Sequence, residues 1–97
     1  MKKVSQLKVN TLRGFYRSPK RWCQGRTLDS SQTACCLFGA VRSVVPLDKQ
    51  DETLAKLRAT IATLYPERSY SSSIMVFNDD RRTTFEDIRK IVVEARV

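Results

Sequence analysis

From Ala34 to Val45 the chain is apolar on nearly every side. Cys35, Cys36, Leu37, Phe38, Ala40, Val41, Val44 and Val45 leave no polar stripe wide enough for a helix lying on the surface. A helix that is apolar all round belongs in the middle of a fold, with other elements packed about it. The pattern predicts a helix over 34–45, capped from within Asp29-Ser30-Ser31-Gln32-Thr33 and ended by Pro46. Gly39 and Ala40 carry almost no side chain, so a neighbouring element is expected to come close there.

Three further helices are expected around it. Val4, Leu7, Leu12, Phe15 and Tyr16 recur at helical spacing and predict a first helix over about 4–16, ended by Gly14 and Ser18-Pro19. Leu54, Leu57, Ile61 and Leu64, supported by Ala55 and Ala62, predict a long helix. Asp48 is its expected cap, with Asp51 and Glu52 in the first turn, where negative charge suits the helix dipole; Tyr65-Pro66 closes it. Thr83-Thr84-Phe85-Glu86-Asp87 holds overlapping capping boxes, Thr83 with Glu86 and Thr84 with Asp87. The helix they open carries Phe85, Ile88, Val92 and Ala95 on one face. Ile74-Met75-Val76-Phe77 is short and apolar and reads as a buried strand before a turn at Asn78-Asp79-Asp80. Residues 20–29 read as extended chain with a turn at Gly25. The stretch Ser69-Tyr70-Ser71-Ser72-Ser73 is of low complexity. The expected architecture is therefore mainly helical, on the border of α+β. It is one compact domain over 1–97, with four helices and one or two short extended segments.

The 97 residues carry 18 bases and 10 acids. Lys2, Lys3, Lys8, Arg13, Arg17, Lys20, Arg21 and Arg26 precede the first carboxylate, Asp29, and the remainder of the chain is charge-balanced. Such asymmetry points to an acidic partner, nucleic acid above all. Arg13-Gly14-Phe15-Tyr16-Arg17 and Lys20-Arg21-Trp22 interleave cations with aromatics. Arginine forks match phosphate oxygens, and aromatic faces stack on unpaired bases. Phe15 fits the helix stripe and is assigned to the core. Trp22 is expected to pack inward with its indole N–H bonded to a turn. Tyr16 stays open between the two roles. The expected binding residues are Lys8, Arg13, Arg17, Lys20, Arg21 and Arg26.

Histidine is absent, which removes the Ser-His and Cys-His nucleophile pairs. Cys23, Cys35 and Cys36 are odd in number, and two are adjacent. They make a poor disulfide framework and a poor tetrahedral zinc site, and are expected to be reduced and buried as small hydrophobes. Cys35 or Cys36 near a helix start is the one conceivable reactive thiol. Asp79, Asp80, Glu86 and Asp87 lack the spacing of a calcium loop. No phosphate-binding glycine pattern occurs. No metal, cofactor or small-molecule substrate is therefore expected. Met1-Lys2-Lys3 is followed by no uninterrupted apolar run, and the apolar stretch Ala34 to Val41 falls far short of the roughly 20 residues of a membrane span. A cytoplasmic location is expected, with no membrane partner.

Three segments in order, Trp22-Cys23-Gln24-Gly25, Cys36-Leu37-Phe38-Gly39-Ala40-Val41, and Phe77-Asn78-Asp79 followed by Thr84-Phe85-Glu86-Asp87-Ile88, carry a resemblance. Together they resemble a family of small phage and actinobacterial proteins classed as a domain of unknown function. Phe77 departs from it, standing where that family usually has Trp. The resemblance spans roughly residues 4 to 96 and implies a fold and a phage or prophage setting, with no activity to carry over. Trp22, Gln24, Gly25, Cys36, Gly39, Asn78, Asp79 and Thr84 are expected to act structurally, at turns, caps and close packing. The functional expectation is a non-enzymatic accessory protein. It would bind a host protein or nucleoprotein complex through its basic segment and inhibit or redirect it, counter-defence such as anti-CRISPR activity being one form. The alternative is a regulator that binds DNA or RNA directly through residues 2–26.

Overall fold

The computed structural model describes residues 1–68 and 73–97, so the serine-rich stretch lies outside the described residues except for Ser73. Five α-helices occur among them: α1 (Leu12–Phe15), α2 (Leu37–Val44), α3 (Gln50–Leu64), α4 (Ile74–Asp79) and α5 (Phe85–Ala95). The expected mainly helical architecture is present. The helix beyond the expected four is α4, where a strand was expected.

The apolar run does form the centre. Leu37, Ala40 and Val41 are fully buried, and α2 packs on α1, α3 and α4, while α5 packs on α1 and α3. Helix α2 nevertheless starts at Leu37 rather than Ala34. The Cys35 backbone bridges to both Trp22 and Leu28, its N–H donating to Arg21 O at 2.8 Å, and this holds 34–36 extended. Asp29 does not cap the helix. Its carboxylate closes a loop by accepting from Thr33 N (2.9 Å) and Ala34 N (3.0 Å). The cap falls to Cys36, whose Sγ accepts from Gly39 N at 3.3 Å. Val45, extended ahead of Pro46, ends the helix as the residue before proline tends to.

The expected helix over 4–16 breaks in two. A 3-10 turn at Val4–Gln6 is followed by extended chain, and α1 starts only after Thr11, whose Oγ1 accepts from Gly14 N at 3.1 Å. Between them Leu7 and Val9 are half-buried while Lys8 and Asn10 are exposed, the period of an extended segment rather than of a helix. Helix α3 follows the predicted stripe through Leu54, Leu57 and Ile61, although Ala55 and Ala62 face outward. Asp48 does not cap it but sits in a 3-10 turn, Leu47–Lys49, that leads into it.

Ile74–Asp79 is helical because Ser73 caps it, its Oγ accepting from Val76 N at 3.2 Å. The expected turn at Asn78-Asp79 is thus the end of α4. Of the two overlapping capping boxes only Thr84 with Asp87 forms. Thr84 Oγ1 accepts from Asp87 N, and the Asp87 carboxylate accepts from Thr84 N at 2.9 Å. Thr83 turns inward instead, donating to Phe77 O at 2.7 Å. One hydrophobic cluster joins residues from all five helices, including Leu12, Phe15, Val41, Leu57, Phe77 and Ile88.

Candidate binding surface

The first 28 residues face two ways. Their inward side forms a polar seam with the end of α4. Asn78 is fully buried and uses both ends of its amide. Its Oδ1 accepts from Trp22 Nε1 at 2.6 Å and from Leu37 N at 3.1 Å, and its Nδ2 donates to Cys23 O at 3.0 Å and Asp79 Oδ1 at 2.9 Å. Gln24 Nε2 donates to the carbonyls of Asn78 and Asp80, and Asp79 Oδ1 accepts from Gly25 N at 2.9 Å. Gly25 makes this turn at φ +81°, a conformation glycine adopts without the strain a Cβ brings. Gly39 closes the seam from the α2 side: a Cβ there would lie 2.1 Å from the carbonyl oxygen of Thr27. Trp22, Gln24, Gly25, Gly39, Asn78 and Asp79 therefore weld an N-terminal turn to two helices. Cys36 and Thr84 cap helices.

The outward side carries the cations. Lys8, Arg13, Arg17, Lys20 and Arg26 are exposed, and none forms an ion pair among the described residues. Arg21 is different. Its Nη1 donates to Lys2 O at 2.7 Å and Thr33 O at 3.0 Å, so its guanidinium ties the chain start to the Asp29 loop. Arg26 is also set apart: its carbonyl accepts from the Cys23 thiol at 3.4 Å, and the Gly25 N–H beside it donates to the Asp79 carboxylate at 2.9 Å. The aromatics of the segment are withdrawn. Phe15 and Tyr16 are buried, the Tyr16 hydroxyl donating to Cys35 O at 2.8 Å, and Trp22 is committed to Asn78. This settles Tyr16 as a core residue and leaves the surface to the cations.

The thiols are held in their neutral form. Burial pushes Cys23 up to about 11 and Cys35 to about 12, and raises Cys36 against the hydrogen bond from Gly39 N. Desolvation here outweighs the helix-start effect that would activate a thiol. A buried cation, Arg68, carries no signal in the sequence. Its guanidinium lies 4.5 Å from the Tyr65 ring centre and 5.2 Å from that of Phe77, donates to Thr83 Oγ1 at 3.0 Å, and sits 3.8 Å from Asp87. Tyr65 in turn donates to Asp87 at 2.8 Å. This cluster braces α5 against the segment after α3. Among the described residues no buried side-chain nitrogen or oxygen lacks a partner, and no group of three potential metal ligands gathers. Among them, too, no helix is long and apolar enough to cross a membrane.

A family model, Family of unknown function (DUF6197), matches residues 18–96, which takes in the whole seam and most of the helical core. No curated protein and no solved structure matches the chain.

Proposed function

The chain belongs to the family of unknown function DUF6197, and from that premise we propose that it is a non-enzymatic accessory protein that docks on a host nucleoprotein machine and inhibits or redirects it. Counter-defence, with a CRISPR complex as one such machine, is a concrete form of this role. The observation that carries the proposal is the exposure of Lys8, Arg13, Arg17 and Lys20 on a folded support, with no ion-pair partner among the described residues. Unpaired cations fixed on a folded scaffold act on an acidic partner at long range and speed its association. The neutral thiols and the lack of histidine support a binding rather than a catalytic role. The phage setting implied by the sequence resemblance favours a host target.

A capture experiment from host lysate tests this. The tagged protein is expected to retain a defined set of host proteins, and Arg17→Glu with Lys20→Glu is expected to release them. An empty capture, or one indifferent to both substitutions, sinks the proposal. A direct nucleic-acid regulator is the second reading. It shares the same face and is favoured by the acid-free run to Arg26; it predicts retention of nucleic acid with no proteins attached.

A further inference from the structure

Helix α5 brings a cation to the N-terminal segment that the sequence keeps far away. Arg89 Nη1 donates to the carbonyl of Arg13 at 3.0 Å, across 76 residues of chain. This bond holds the half-buried guanidinium, with its five N–H donors, beside the Arg13 backbone. Lys90, next along α5, is exposed. Arg13 and Arg17 can be no more than about 14 Å apart at their Cα atoms, since a residue of extended chain spans at most about 3.6 Å. At the other end of the segment the balance reverses. Gly25 N, next to Arg26, donates to the Asp79 carboxylate at 2.9 Å, and Asp29 follows Arg26 by three residues. The run of bases that is continuous in sequence is thus reinforced in space at Arg13 and offset at Arg26.

The face has a second property. Within 2–26 no exposed large apolar side chain occurs among the described residues, and on the α5 side the exposed one is a single small aliphatic group, Val93, a turn beyond Arg89. Protein interfaces are anchored by buried aromatic or aliphatic groups at their centre, with charges at the rim. Contacts to a phosphate backbone need only donors and cations. With Phe15, Tyr16 and Trp22 withdrawn, stacking on unpaired bases is not available either.

We propose that the working face is a composite of Arg13, Arg17 and Lys20 with Arg89 of α5, that Arg26 lies outside it, and that its occupant is the phosphodiester backbone of double-stranded nucleic acid. This rests on the reading that the basic segment is the docking surface. It adds which residues make the face and what they touch.

The test is fluorescence anisotropy with a labelled duplex of about 20 base pairs, roughly two helical turns, at about 50 and about 200 mM salt. Binding is expected at the lower salt, falling about 100-fold at the higher if about four phosphates are contacted. Arg17→Glu and Arg89→Glu should each weaken binding about tenfold or more, and Arg26→Glu less than twofold. Because Arg89→Glu also removes a backbone anchor, its melting curve is recorded alongside, and Arg89→Gln provides a milder variant with the same expected direction. Loss of binding in Arg26→Glu as large as in Arg17→Glu overturns the composite face, as does full binding by a folded Arg89→Glu. Absence of duplex binding at low salt, while host proteins stay captured after nuclease treatment and are released by Arg17→Glu, makes the occupant an acidic protein. That outcome overturns this inference and leaves the docking role standing. A capture indifferent to Arg17 removes both.

Discussion

The segment from Lys2 to Arg26 and the end of α4 both carry polar residues at high density, and they use them in opposite ways. Around Asn78 the polar groups are spent on one another, with four hydrogen bonds on its one fully buried side chain. Around Arg13 and Arg17 almost none is spent, and the guanidinium groups stand in water. The two regions meet in space at Trp22, so the stretch before Arg26 supplies both one side of the weld and the exposed charge. The lesson is that polarity in a motif does not mark function. Gln24, Asn78 and Asp79 form the more distinctive pattern, and the structure uses them to hold the fold; the less distinctive lysines and arginines are left on the outside.

The sharpest way to break the contrast is Asn78→Leu. It strands the Trp22 indole N–H, the Leu37 amide and the Cys23 carbonyl in a buried site, where each unmet group costs about 1–3 kcal/mol. Total destabilisation of about 3 kcal/mol or more is expected in a urea melt. A loss under about 1 kcal/mol would show that the seam is not a weld. Gly39→Ala comes next, at about 2 kcal/mol. Its Cβ meets backbone rather than a mobile side chain, and overpacking of a tight core costs about 1–3 kcal/mol. Thr84→Ala should cost about 1 kcal/mol through the lost cap of α5.

Acid and base reach the two regions differently. Asp87 is buried in part, which alone would raise its pKa. The hydrogen bonds from Thr84 and Tyr65 and the charge of Arg68 hold it below the usual value instead. Asp29 and Asp80 are lowered as well, by the amides of their own loops and by Arg82. These groups bind protons less readily folded than unfolded. The stability they add is present above the ordinary carboxylate range and is lost as pH falls through it. The raised Cys23, Cys35, Cys36 and Tyr16 act in the opposite sense, so stability should also fall as pH rises past about 9. A melting temperature flat between about pH 3 and pH 10 would contradict both limits. The smallest effect is expected on the exposed side. Arg17→Glu should change stability by less than about 0.5 kcal/mol, as surface substitutions without partners do. A larger loss would mean that Arg17 belongs to the weld after all.

Much of this arrangement was legible in the sequence. The central helix, the long amphipathic α3, the Thr84–Asp87 capping box and the inward packing of Trp22 are written in local patterns, but the choice of Asn78 as its indole partner is not. What escaped was decided at long range or by unusual chemistry. The break between Val4–Gln6 and α1 hides behind apolar spacing that fits a helix by coincidence. Cys36 as an N-cap is hard to foresee, because sulfur is seldom the acceptor. Ser73 was hidden within a serine run, so the helical start of Ile74–Asp79 looked like a strand. Arg68 inside the core and Arg89 beside Arg13 have no local signature at all, since each depends on which helix faces which.

The seam also sets a timetable. The bonds from Trp22 and Gln24 to Asn78 each close a loop of more than 50 residues, an ordering cost of about 3.5 kcal/mol before any contact returns it. As the chain emerges from the ribosome, the Trp22 indole N–H waits for Asn78, several seconds behind it at about 5–20 residues per second. For that interval the cationic segment is a loose polyelectrolyte beside a surface made largely of RNA. Arrival of the α4 segment closes the seam, and α5 after it brings Arg89 to the Arg13 carbonyl.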